Sequence, residues 1–204
     1  MIGRYGPLLL LLLAGCGQDA GCNLMKVAQV PLEPKGKMLL VSVAINGQTI
    51  PMLLDTGNAY SYLNESAVKQ ANAKKNDSYY SMTISVAGWS MGSVVNINSM
   101  SIGDVQLSSV NRLPVTVSPI SLLGMGILKD YDLDIDGPNR TLTLYRVRAP
   151  QCDTPPWDGD SISGASSQWN SLTVPIEING VAGSGQIDTG SAWTAILPTM
   201  WRWR

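Results

Sequence analysis

Val41-Ser42-Val43-Ala44-Ile45-Asn46-Gly47-Gln48-Thr49-Ile50-Pro51-Met52-Leu53-Leu54-Asp55-Thr56-Gly57 is the stretch from which the rest of the chain can be read. Val41, Val43 and Ile45 alternate with smaller or polar residues, the period of a half-buried strand. Asn46-Gly47 then supplies the positive backbone angles of a tight hairpin turn. A returning apolar strand ends on Asp55-Thr56-Gly57. The same order recurs downstream: Val174, Ile176 and Ile178, then Asn179-Gly180, then Asp188-Thr189-Gly190. The spacing is constant at 133 residues, from Ile45 to Ile178 and from Asp55 to Asp188, and Ala59 matches Ala192 at the same distance. An ungapped repeat of this kind indicates one supersecondary unit used twice.

Outward from the first copy the pattern is mostly β. Residues 59–63 read as a short strand, and Asn64 is placed to cap a helix over 65–73 with Glu65 in its first turn. Residues 79–87 and 91–102 form a hairpin around Ala87-Gly88-Trp89, and a second hairpin turns at Gly103-Asp104 before a strand over 112–117. Leu122-Leu123-Gly124-Met125 leads into a short helix near 127–131. A strand over 132–136, a turn at Gly137-Pro138-Asn139-Arg140 and a strand over 141–147 close the unit. Residues 149–170 are rich in Pro, Gly, Ser and Asp, the composition of a linker. The expected organisation is a signal at 1–15, an N-terminal tether at 16–36, a lobe at 37–148, the linker, and a second lobe at 171–204. That second lobe holds the repeated hairpin and triplet but no second Leu-Leu-Gly element or closing strands, so it is expected to be incomplete.

Composition restricts the chemistry. The 204 residues contain no histidine, so Ser-His and Cys-His nucleophile systems, His general bases and His-ligated zinc are unavailable. Carboxylates are left as the leading candidates for acid-base groups. Only 14% of residues are charged and the formal net charge is -1, which gives no basic field for nucleic acid. No metal-ligand spacing is present, and neither a metal nor another cofactor is expected.

Residues 1–15 read as an export signal, with Arg4 ahead of the apolar run Leu8 to Leu13. That run is too short to cross about 30 Å of hydrocarbon as a helix. Leu13-Ala14-Gly15-Cys16 resembles a bacterial lipobox, which implies cleavage before Cys16 and lipid on its sulfur and new amino terminus. Gly17 after the cysteine, by the sorting pattern of such lipoproteins, points to the outer membrane, facing the periplasm. Cys22 and Cys152 are then an even pair in an oxidising compartment, flanking the first lobe. A disulfide between them and two free thiols are both open readings.

Leu53-Leu54-Asp55-Thr56-Gly57-Asn58-Ala59 resembles the active-site turn of retropepsin-like aspartic proteases, and Leu122-Leu123-Gly124-Met125 resembles their later Leu-Leu-Gly-Met element. The resemblance runs over residues 37–147 and restarts at about 171. It implies a retropepsin-like acid-protease barrel, mainly β with one or two short helices, and peptide hydrolysis by Asp55 and Asp188. Two close aspartates cannot both ionise cheaply, so one is neutral and one charged near the working pH. The charged member can take a proton from a water held between them while the neutral one donates to the scissile carbonyl. Thr56 and Thr189 are expected to stiffen the turns and, as in the family, to reach across to the partner lobe. Gly57 and Gly190 leave room for close approach. Ala87-Gly88-Trp89 is the candidate tip of a flap over a peptide or protein substrate.

Asn58 departs from the family's usual Ser or Ala, and Gly126 stands where the family often has Asp, with consequences expected only for the start of the short helix. The pairing of triplets has two solutions: Asp55 with Asp188 in one chain, or Asp55 twice in a homodimer through residues 37–148. A catalytically inactive lipoprotein using the fold as a binding or structural module is the alternative function.

Overall fold

The computed structural model describes residues 24–85, 88–147, 160–166 and 171–196. The chain opens with β1 (Leu24–Lys35) and turns at Gly36, whose φ of 63° needs the left-handed region, into β2 (Met38–Ile45). The Asn46-Gly47 turn, with φ of 51° and 79°, returns it as β3 (Gln48–Asp55). Positive angles at both central residues match the right-handed twist of the flanking strands, which is why this dipeptide sets the register from Ile45↔Gln48 to Leu40↔Leu53.

After the triplet, β4 (Leu63–Asn64) leads into α1 (Glu65–Gln70), where the Asn64 side chain accepts from the Ala67 N–H at 2.9 Å. The helix is shorter than its apolar pattern suggests because Asn72 turns the chain with a φ of 48°. β5 (Lys74–Ser85) and β6 (Gly88–Asn96) form the long hairpin. β7 (Met100–Ile102) and β8 (Val105–Gln106) turn at Gly103, followed by β9 (Arg112–Thr116). The Leu-Leu-Gly element is β10 (Ser121–Gly124), running directly into α2 (Met125–Leu128). β11 (Asp132–Asp136) and β12 (Thr141–Val147) have the bounds expected from the sequence. The second copy contributes β13 (Ala165–Ser166), β14 (Leu172–Ile178) and β15 (Val181–Gln186).

The architecture is mainly β. Among the described residues, one sheet runs β10-β3-β2-β1-β12-β11 with β7 and β8 attached through β2, a second runs β4-β9-β6-β5, and a third runs β13-β14-β15. Val41, Val43, Ile45, Ile50, Met52 and Leu54 from the first hairpin are at most 1% exposed and pack with Leu63, Leu123, Leu128, Leu142 and Leu144. Each such side chain contributes about 1.5–3 kcal/mol, so this core holds the first triplet on a rigid base.

Two further expectations change. From Leu24 onward the expected tether is a strand: Leu24 to Pro31 pair with β12 and Leu32 to Lys35 pair with β2. Ala28, Val30 and Leu32 are buried on one face, a period-two signal behind Pro31 and Pro34. The short strand expected over 59–63 is confined to a bridge at Tyr62 and to β4, because residues 58–61 are held instead by hydrogen bonds to 124–126. Cys16, Cys22, Cys152, Ala87, Trp157, Trp169 and most of the linker lie outside the described residues, as does the side chain of Trp89. Gly88 and Trp89 open β6 opposite Ser85 and Ile84.

Candidate active site

β3 delivers Asp55 to the edge of the core with β2 on one side and β10 on the other. The β10 contact is parallel, with Leu123 beside Leu54 and Gly124 beside Asp55. Gly124 has no side chain for a physical reason: a Cβ there would lie 2.7 Å from the Asn58 carbonyl oxygen. The turn after the triplet is then pinned by Gly124 N–H to Ser61 Oγ at 2.9 Å, Met125 N–H to Asn58 O at 2.8 Å and Gly126 N–H to Ala59 O at 2.9 Å. Gly126 therefore does more than begin α2. A Cβ on it would be 2.5 Å from the Ala59 carbonyl oxygen, so a side chain would separate the helix from the active-site turn.

The second triplet meets the first face to face. Thr56 Oγ1 donates to the Ile187 carbonyl at 2.8 Å and accepts from the Thr189 N–H at 3.1 Å. Reciprocally, Thr189 Oγ1 donates to the Leu54 carbonyl at 2.6 Å and accepts from the Thr56 N–H at 3.1 Å. Each hydroxyl uses its donor and one lone pair across the junction, and the four bonds repeat under the 133-residue offset. The glycines complete the closeness. A Cβ on Gly57 would fall 2.6 Å from Asp188 Oδ1, and one on Gly190 would fall 2.5 Å from Asp55 Oδ1. Glycine is thus needed at both places because the opposite carboxyl occupies the side-chain position.

Each aspartate also accepts from its own glycine: Gly57 N–H to Asp55 Oδ1 at 3.1 Å, and Gly190 N–H to Asp188 Oδ1 at 2.9 Å. The two carboxyls face each other across the junction, each beside the opposite triplet's glycine. Burial pushes Asp55 up from 3.8 to about 6, and the charge of Asp188 pushes the same way. The Gly57 N–H and the Asn58 side chain oppose the rise. Asp55 is 9% exposed while Asp188 is open to solvent, so the pair is electrostatically unequal.

Residues 41–130 match the family model described as gag-polyprotein putative aspartyl protease. Over this stretch the chain is similar to retropepsin-like aspartic proteases. Among solved structures, a retropepsin-like aspartic protease from Rickettsia conorii aligns at 19% identity with a TM-score of 0.45, over 63% of this chain and 97% of that one. The EIAV protease, solved with the inhibitor HBY-793, aligns at 20% identity with a TM-score of 0.39, over 48% and 91%. No curated protein matches the chain.

The structure brings Asp55, Thr56, Gly57, Asp188, Thr189 and Gly190 together in one chain. Asn58 keeps the turn in order: its Oδ1 accepts from the Tyr60 N–H at 3.1 Å. Ser191, its repeat partner, plays the matching role by accepting from the Trp193 N–H at 3.4 Å. Two residues at the junction were not anticipated. Gln186 Nε2 donates to the Gly57 carbonyl at 2.7 Å, and Lys37 Nζ lies 3.6 Å from the centre of the Trp193 ring. Gln186 falls two residues before Asp188, where the first copy has Leu53; that break in the repeat was its only sequence signal.

Proposed function

We propose that this chain is an aspartic endopeptidase in which Asp55 and Asp188 activate a water for attack on a peptide carbonyl. The observation that carries the reading is the reciprocal Thr56–Thr189 bonding that holds the two carboxyls in contact. Burial favours the neutral form of Asp55, so in this scheme Asp55 is the member that starts with the proton. Asp188 takes a proton as the water oxygen bonds to the carbonyl carbon, and Asp55 gives its proton to the carbonyl oxygen. The tetrahedral diol then collapses: the C–N bond breaks, the amide nitrogen leaves with a proton from Asp188, and a hydroxyl proton returns to Asp55. One chain supplies both carboxylates in this scheme, so a second copy is not required for chemistry.

The substrate is an extended peptide or unfolded protein segment, covered by the β5–β6 hairpin with Gly88 and Trp89 near its tip. From the lipobox at Cys16 we also propose that the peptidase is lipid-anchored and faces the periplasm.

The test is cleavage of an unfolded protein at mildly acidic pH, with and without a transition-state mimic of a hydrated peptide. Asp55→Asn is expected to lower kcat by at least about a thousandfold, the scale of losing an acid-base group. Undiminished cleavage by that variant would overturn the reading.

A further inference from the structure

The two triplets are held in unequal ways. Asp55 ends a strand that has a neighbour on each side, and the turn after it is bonded to Gly124, Met125 and Gly126. Asp188 follows β15, which pairs with β14, and among the described residues no strand lies along the other side of β15. Its residues are largely exposed. Besides the reciprocal threonine bonds, which both copies share, two contacts run between the copies and have no repeat counterpart in the first triplet's surroundings. Gln186 donates to the carbonyl of Gly57. Leu53, at the equivalent place, has no side-chain N–H to give to the Gly190 carbonyl. Trp193, 73% exposed, lies under the ammonium of Lys37 from the β1–β2 turn.

We infer that Gln186, together with the Lys37–Trp193 contact, is a one-sided latch that positions the second triplet against the first, in place of the strand that braces Asp55. Gln186 grips the residue after Thr56, ahead of Asp188 in the chain, and Lys37 grips the segment five residues after it. Asp188 is therefore fixed from both directions by first-copy atoms. An amide–carbonyl bond and a cation over an indole face suit a partly hydrated seam, because neither leaves a buried charge unpaired. Gln186 and Lys37 touch no reacting atom; they are positioning residues for the dyad proposed above, and the latch rests on that reading.

The test uses the full chain with Gln186→Leu, which copies the first repeat, Lys37→Ala, Lys37→Arg, and the double variant Gln186→Leu/Lys37→Ala. The first readout is the titration midpoint of the Asp55 carboxyl by carbon NMR, since the nearby charge and burial that raise it both depend on a docked second triplet. The double variant is expected to lower that midpoint by at least about 0.5 pH unit and to lower kcat about tenfold or more with KM within about twofold. Lys37→Arg keeps a cation over Trp193 and is expected to behave as the parent. A double variant with parental midpoint and kcat would overturn the latch, and so would a parent whose Asp55 titrates at an ordinary carboxylate pH. A raised midpoint that falls in the double variant, in a parent that cleaves nothing, would keep the latch and reject the peptidase reading.

Discussion

The hairpins β2–β3 and β14–β15 have the same turn, the same register and different interiors. Asn46-Gly47 and Asn179-Gly180 differ by only 1° at each φ, and Leu40↔Leu53 through Ile45↔Gln48 maps onto Thr173↔Gln186 through Ile178↔Val181. Val41, Val43 and Ile45 are 0% exposed, whereas Val174, Ile176 and Ile178 are half-buried. On the returning strand the contrast is in the residues: Ile50 and Met52 fill the core, and Gly183 and Gly185 stand in their places. A Cβ on Gly185 would come within 3.1 Å of Ile176, so Ile176 takes the space that a side chain at the Met52 position would use. Local sequence therefore determines hairpin geometry, while burial depends on elements the first copy has around it, namely β1, β10, α2 and β12.

Matched truncations sharpen this contrast. Ile45→Ala is expected to cost about 2–5 kcal/mol in urea unfolding because it empties a closed core. Ile178→Ala is expected to cost under about 1 kcal/mol, since its site is open enough to relax and already meets water. Equal losses would mean that the second hairpin is packed as deeply as the first.

The aspartates carry the contrast into electrostatics. Asp55 has its pKa raised from 3.8 to about 6 in the folded chain, so folding is favoured by its neutral form. Its contribution is full below about pH 3.8 and is lost as pH rises through about 6. Urea midpoints taken at pH 4 and pH 7 are expected to show this fall in the parent and to lose most of it in Asp55→Asn. A parental stability that rises over the same interval would contradict the buried, partner-raised carboxyl.

The turns should respond alike. Gly47→Ala and Gly180→Ala each force a side chain into a φ near 79° and are each expected to cost about 1 kcal/mol, measured as the loss of hairpin amide protection. Unequal responses would break the identity of the two turns.

Most of the scaffold was legible because its signals are local. Period-two alternation, Asn-Gly turns and the Gly137–Arg140 turn located β2, β3, β11 and β12 closely, and the Asn64 cap located the start of α1. β1 falls in the stretch expected to be a tether: Ala28, Val30 and Leu32 carry its alternation, but Pro31 and Pro34 interrupt it, and Pro31 falls where the strand changes partner from β12 to β2. The parallel pairings of β10 with β3 and of β4 with β9 join segments about 50–70 residues apart, and no local pattern encodes them. At the site, the six triplet residues were readable from the repeat. Gln186 and Lys37 were not, since their importance lies in what they reach across the junction, and the need for Gly126 comes from a carbonyl of Ala59 that only the fold brings near.

In the proposed enzyme the exposed second copy completes the site begun by the buried first one, within a single chain. The most direct test of this is the rate at which Asp188→Asn cleaves an unfolded protein near pH 5, beside the parent at equal concentration. The account predicts a fall of at least about a thousandfold, matching Asp55→Asn. Cleavage by Asp188→Asn at the parental rate would contradict it and would assign both carboxylates to Asp55 from two chains.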